Sequence, residues 1–173
     1  MSSHDISLRD ADKADRPFLL ELYASTREAE IAMVPWTEEQ KRAFLEMQFS
    51  AQLTSYAENH PGASHQVILL AGKPAGRIYL DSGEREIDIL DITVATAHRN
   101  MGIGSQVLDK VLAEADRTGK TAGIFVEVFN PSRRLLERMG FRVANQDGFL
   151  LRLERQPRTE TADRGMAQPK SLE

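Results

Sequence analysis

The sequence predicts a mixed α/β (α+β) domain, a central sheet flanked by helices. Three observations predict it. The apolar period switches along the chain between about two and about three to four residues. The resulting elements run β-α-α-β-β-β-α-β-α-β-β between residue 5 and about residue 154. A glycine-rich turn, Arg99-Asn100-Met101-Gly102-Ile103-Gly104, stands between an apolar strand and an amphipathic helix. At 173 residues the chain fits one domain with a substantial core.

Residues 5–9 alternate Ile6 and Leu8 as a short strand. Asp12 caps a helix with the apolar stripe Phe18, Leu19, Leu22 and Tyr23, which breaks at Pro35. Thr37 and Gln40 form a capping box that opens a second helix from Glu38 to about Glu58. Asn59-His60-Pro61-Gly62 stops it. Two strands, 65–71 and 75–80, flank Gly72-Lys73-Pro74, and a third covers 86–94. In this third strand Ile87 and Ile89 take one parity while Leu90, Ile92 and Val94 take the other. The switch predicts burial on both faces or a β-bulge near Ile89–Asp91. A helix over 105–117 follows the glycine turn, then a strand over 121–129 with Val126 and Val128 opposite Phe125 and Glu127. A short helix over 130–139 ends at Gly140. Residues 141–143 and 149–153 close the domain as a hairpin around Asn145-Gln146-Asp147-Gly148. One domain is thus expected over 1–154, followed by a disordered tail over 155–173.

Composition narrows the function. The net charge of −4 and pI near 5.6 give no global attraction to nucleic acid or to an anionic membrane. With no cysteine, thiolate nucleophiles, disulfides and cysteine-based metal sites are excluded. The four histidines lack ligand spacing, so no metal is expected. No apolar run reaches membrane-spanning length and the N-terminus has no signal-peptide core, so the chain reads as cytoplasmic.

The glycine turn carries the chemistry. The backbone at Gly102 and Gly104 can approach a ligand closely, and the helix that follows aims its unpaired N–H groups and its dipole at the same place. Phosphate or pyrophosphate is the natural occupant.

Arg99 to Gly104 fits R/Q-x-x-G-x-G/A, the acyl-CoA signature of the GNAT N-acetyltransferases, and Asn130 to Phe141 (NPSRRLLERMGF) resembles that family's second motif. The order of elements is also similar. The linker Val34-Pro35-Trp36 and the helix segment Met47-Gln48-Phe49 resemble a small bacterial type within the family. The resemblance implies the GNAT acyltransferase fold, with its twisted sheet splayed at a bulge, and acetyl-CoA as co-substrate. Backbone N–H groups from Met101 through Gly102, Ile103 and Gly104 to Ser105 would hold the pyrophosphate, with Arg99 and Asn100 completing the turn. The backbone of Ile92, Thr93 and Val94 would bond the pantetheine arm, and Asn130 would join the cofactor site. The acetyl carbonyl would be polarised near Val94. A primary amine, from a small molecule or a peptide, would attack directly without a covalent enzyme intermediate. Dimerisation is common in the family, so a homodimer is also compatible with the resemblance.

The attacking amine must lose a proton. Glu127, in an otherwise apolar strand, is the first candidate for the general base, with Asp91 and Asp88 as rivals. The competing reading makes these acids partners of Arg77 or Arg133. Trp36 and Gln48 are the candidate acceptor-site residues, Trp36 doubling as a core anchor, while Gln52 is expected to face solvent. Two departures from the family matter. Leu136 stands where a tyrosine general acid is common, and Asn100-Met101 stands where Gly-Lys is common. Leu136 keeps open a second reading, a catalytically weak acyl-CoA-binding regulatory module. A nucleotide-binding protein is the alternative of another class. RNMGIG is neither G-x-G-x-x-G nor a P-loop, and it follows three strands rather than the first.

Overall fold

The computed structural model describes residues 4–159. Strand β1 (Ile6–Asp10) leads into a 3-10 turn over Lys13–Asp15 and helix α1 (Arg16–Ala32). The Asp12 carboxylate accepts the Ala14 N–H, and Asp15 returns the bond to the Asp12 N–H. Asp15 is itself held by both Arg9 guanidinium nitrogens at 2.7 Å, which brings its carboxyl down to about 2. Helix α2 (Glu38–Asn59) opens on the predicted Thr37–Gln40 capping box, both bonds of which are present. Then come β2 (Ser64–Leu70), β3 (Lys73–Ser82), β4 (Glu86–Val94), α3 (Ile103–Thr118), β5 (Thr121–Glu127), α4 (Arg133–Arg138), β6 (Arg142–Asp147) and β7 (Leu150–Arg155). The predicted order of elements is reproduced.

The seven strands form one sheet in the order β1-β2-β3-β4-β5-β7-β6. Every pairing is antiparallel except β4 with β5. One face packs on α3 and α4 through Ile68, Ile78, Ile89, Val107, Leu136 and Phe141, all nearly inaccessible to solvent. The other face packs on α1 and α2 through a smaller cluster of Leu19, Tyr23 and Phe49. No helix among the described residues is long and apolar enough to cross a membrane.

Several boundaries depart from expectation: β3 spans Lys73–Ser82 rather than 75–80, α3 starts two residues early at Ile103, β5 ends at Glu127 rather than 129, and three further differences have a clear physical reason. The helix predicted over 130–139 begins only at Arg133. Asn130 accepts the Ser132 N–H through its side chain and holds the preceding residues in a turn. The closing hairpin is longer and tighter than predicted. Asn145, Gln146 and Asp147 lie within β6, and the turn is Gly148-Phe149, with Gly148 at φ 59°. All of β6 is exposed at the sheet edge, where polar side chains stay hydrated, so the polar run does not signal a loop there. Finally, β7 includes Arg155, which is 5% exposed and forks onto Asp116 at 2.8 and 3.0 Å. Most of the expected tail, residues 160–173, lies outside the described residues.

Candidate active site

The predicted bulge is present. Tyr79 pairs with Asp91 while Leu80 pairs with Ile89, leaving Leu90 as the extra residue of β4. β4 and β5 stay in register only from Glu86/Thr121 to Ile89/Ile124 and then separate. Beyond that point β4 keeps β3, and β5 keeps β7 through Glu127. The result is a V-shaped slot.

The backbone on the β4 side of the slot follows from alternation. The Ala95 N–H bonds the Ala75 carbonyl at 2.7 Å. In an antiparallel pair, bonding toward one neighbour alternates residue by residue. Thr93 and Asp91 therefore bond toward β3, and Ile92 and Val94 present their N–H and C=O to the slot. The Val94 carbonyl already accepts from Arg99 Nε at 3.3 Å, so Arg99 ties the glycine turn to the end of β4.

In that turn Asn100 (φ 62°) and Gly102 (φ 77°) are left-handed, and Gly102 is the N-cap of α3. The first intrahelical bond is Gln106 N–H to the Gly102 carbonyl. Gly104 has an ordinary backbone, and an added Cβ would meet only Val94 Cγ2 at 3.8 Å. Packing does not demand glycine there, and its absence of a side chain leaves the backbone open at the end of β4. Ile103 is 1% exposed, so its side chain belongs to the core. Met101 is 39% exposed at the rim.

Beneath α2, on the sheet face opposite α3, lies a polar layer. Arg77 is 2% exposed; its Nε donates to Asp91 at 2.6 Å and its Nη2 to Gln52 Oε1 at 2.6 Å. The Thr93 hydroxyl also donates to Asp91. The Tyr56 hydroxyl donates to the Leu90 carbonyl at 3.1 Å, so α2 grips the bulge directly. Burial, followed by Asp91, raises the Tyr56 hydroxyl and keeps it a donor. His65 stacks on Tyr79 with ring centroids 4.5 Å apart, and burial with nearby Arg77 pushes its imidazole down to about 4.

The three candidate bases therefore sit in different surroundings. Asp91 is paired with Arg77, as the ion-pair reading expects. Asp88 is also paired, at 2.6 Å, but with Arg152 rather than with Arg77 or Arg133. Gly123 makes that possible, because a Cβ there would fall within 2.1 Å of the Arg152 guanidinium. Arg133 pairs instead with Glu137. Glu127 is exposed at the last position of β5, where the slot opens.

Gln48 receives the Tyr23 hydroxyl at 3.4 Å. Trp36 is 40% exposed and packs edge-on against Phe44, so it is half anchor and half surface. Gln52 does not face solvent as expected; its bond to buried Arg77 turns it inward. Tyr56 and Arg152 are site residues that sequence reasoning missed, and Arg77 entered it only as an ion-pair partner. The available signal was Gln48-Gln52-Tyr56 at helical spacing, a polar stripe on a helix that must cover a sheet. Leu136 is 2% exposed within the core and offers nothing to the slot. Asn130 spends its side-chain oxygen on the Ser132 N–H. It also lines a cavity of about 540 Å³ past the end of β5, together with Val128, Phe129, Pro131, Arg133, Arg134 and Glu137.

The comparisons agree with this geometry. The chain matches the acetyltransferase (GNAT) family over residues 18–141. No curated protein matches it. Among solved structures, the PaiA N-acetyltransferase of Thermoplasma acidophilum in complex with coenzyme A is similar at TM-score 0.65 and 16% identity, over 90% of this chain and 99% of that one. An acetyltransferase of Thermus thermophilus gives 0.63 and 21% over 89% and 99%. A spermidine N-acetyltransferase chimera from Vibrio cholerae and hSSAT gives 0.60 and 18% over 87% and 95%. With the family matched over most of the chain, and the splayed β4–β5 slot beside a glycine turn, this protein belongs to the GNAT acetyltransferase family.

Proposed function

We propose that this protein transfers the acetyl group of acetyl-CoA to a primary amine by direct attack within the β4–β5 slot. The observation that carries the reading is the slot itself: β4 loses β5 after Ile89 while Ile92 and Val94 turn their backbone groups into the gap. An extended pantetheine arm would bond there as an added strand. The backbone of Met101 to Ser105, at the N-terminus of α3, would hold the pyrophosphate. Acetyl-CoA would bring the activated carbonyl, and the Val94 N–H would polarise it.

An amine attacks only when neutral, so a base must take its proton. Glu127 fits best. Asp88 and Asp91 are each occupied by an arginine at 2.6 Å, whereas Glu127 has no ion-pair partner among the described residues and stands open at the slot. Their role in this reading is to fix Arg152 and Arg77. Leu136 cannot protonate the departing thiolate, and water supplies that proton, since thiols are acidic enough to leave near neutral pH. The same buried Leu136 favours the second reading, an acyl-CoA-binding module with little turnover.

Calorimetric titration with acetyl-CoA, paired with a thiol-release assay over an amine panel, tests both. Micromolar binding lost in Gly104→Glu, together with thiol release, is the expected result. Binding without release from any amine would favour the module. Absence of binding would refute the pyrophosphate role of the turn.

A further inference from the structure

The sheet face opposite α3 is only partly covered. α1 and α2 shield β2 and β3, but over β5 and β7 large apolar groups stand open. Phe125 is 59% exposed, Phe129 76%, Phe149 72% and Leu150 43%. The Phe129 and Phe149 rings lie 5.8 Å apart. Glu127 stands among them, two residues from Phe125 on the same strand face and directly opposite Leu150 in the β5–β7 register. Nearby, Arg152 lies over the Phe125 ring and is surrounded by Asp88, Glu86 and Glu154. Three carboxylates thus meet a single guanidinium, and Glu127 has no ion-pair partner of its own among the described residues. Leaving so much aromatic surface in water is unfavourable unless something covers it.

We propose, resting on Glu127 as the base, that the acceptor is a monoamine with an apolar or aromatic body, held as its ammonium at Glu127 with its hydrocarbon against Phe129, Phe149 and Leu150. Arg133, beside Phe129, is spent on Glu137, and the unpaired Glu127 carboxylate selects a cation over an anion. The phenyl faces add burial of the hydrocarbon. The apolar wall also favours the neutral amine once Glu127 has taken its proton. A polyamine, charged every few atoms, would have to desolvate a further ammonium against the phenyl groups, and a sugar amine would lay hydroxyls there. Both are disfavoured by the same surface that favours an arylalkylamine.

The test compares kcat/KM for 2-phenylethylamine, hexylamine, spermidine and glucosamine in the wild type and in Phe149→Ala and Phe129→Ala. Both rings are largely exposed, so their truncation leaves the fold intact. The expected result is a preference of at least about tenfold for 2-phenylethylamine and hexylamine, reduced about tenfold or more by either variant through KM, with acetyl-CoA affinity unchanged. Equilibrium binding of 2-phenylethylamine against 2-phenylethanol, in wild type and Glu127→Gln, separates this inference from the catalytic reading. Tighter binding of the amine, lost in Glu127→Gln, supports the inference even where no thiol is released. Turnover confined to spermidine or glucosamine overturns it while leaving acetyl transfer intact. A dimer that Phe149→Ala dissociates, with amine preference unchanged, also overturns it, because the patch would then be an interface between two copies.

Discussion

Gly76 gives the sharpest test of the β3–β4 geometry. It lies on β3 directly opposite Val94. A methyl group there would sit 2.4 Å from the Thr93 carbonyl oxygen, 3.2 Å from Val94 Cα and 3.3 Å from Ile68 Cδ1. The Ile68 side chain can turn aside; the Thr93 carbonyl moves only with β4. Carbon–oxygen contacts settle at about 3.3–3.6 Å, so Gly76→Ala forces the strands apart locally by about 1 Å. The Ala95–Ala75 bond, now 2.7 Å, would then leave hydrogen-bonding range. One or two ladder bonds at about 1 kcal/mol each, plus overpacking strain, give a loss of about 2–4 kcal/mol. For a domain of this size that lowers Tm by roughly 5–15 °C. The same shift displaces Ile92 and Val94, and in the proposed reading the loss of one pantetheine bond would weaken acetyl-CoA binding by about tenfold. Calorimetric unfolding and acetyl-CoA titration read both effects. Gly62→Ala is the control, since nothing lies within 4 Å of its added methyl. A Gly76→Ala protein that melts with the wild type and binds acetyl-CoA equally well would refute the close approach of the two strands, and with it the slot geometry.

Other consequences follow from the polar groups. Asp91→Asn leaves Arg77, 2% exposed, without its counter-charge, and urea unfolding should show a loss near the lower end of the roughly 3–5 kcal/mol typical of broken buried pairs. Glu127→Gln, at an exposed position, should leave the urea midpoint unchanged and lower kcat by about a hundredfold or more with acetyl-CoA affinity intact. Thr37→Ala removes one arm of the α2 capping box and should cost about 1 kcal/mol, measured by the same unfolding. Acid stability has two stages. His65 is depressed in the fold to about 4, so the unfolded chain binds the extra proton first, and stability complete above pH ~6.5 falls toward pH ~4. Asp15, brought down to about 2 chiefly by Arg9, contributes stability that is full above pH ~4 and falls as pH drops toward 2. His65→Phe should flatten the first stage and Asp15→Asn the second in Tm measured against pH.

What could be read from the sequence was what a few neighbouring residues decide. The α2 capping box, the positive φ of Gly140 and the order of strands and helices are local consequences of side-chain chemistry and apolar period. The partners of the charged groups were not legible. Arg77 and Asp91 are 14 positions apart and Arg152 and Asp88 are 64 apart, and only the completed sheet brings either pair together. The exposed β6 edge misled for a related reason: polar residues mark a loop in sequence, yet an edge strand tolerates them equally well.

The bulge joins the two kinds of information. Asp88 and Asp91 are three residues apart, and on a regular strand they would face opposite sides of the sheet. The register places Asp91 opposite Tyr79 and Asp88 opposite Asp81, two residues further along β3. Tyr79 and Asp81 share a face, so both acids do as well, because Leu90 is counted out of the ladder. The parity conflict visible in residues 86–94 is therefore the trace of three structural events at once. It ends the β4–β5 pairing, it gives α2 a carbonyl to hold through Tyr56, and it sends both carboxylates to the side where Arg77 and Arg152 wait. Removing the extra residue would restore a regular strand and, by the same arithmetic, turn Asp88 away from Arg152 or Asp91 away from Arg77. A strand whose apolar parity changes midway, directly before a glycine turn, is for this reason a more specific signal of the slot than the turn alone.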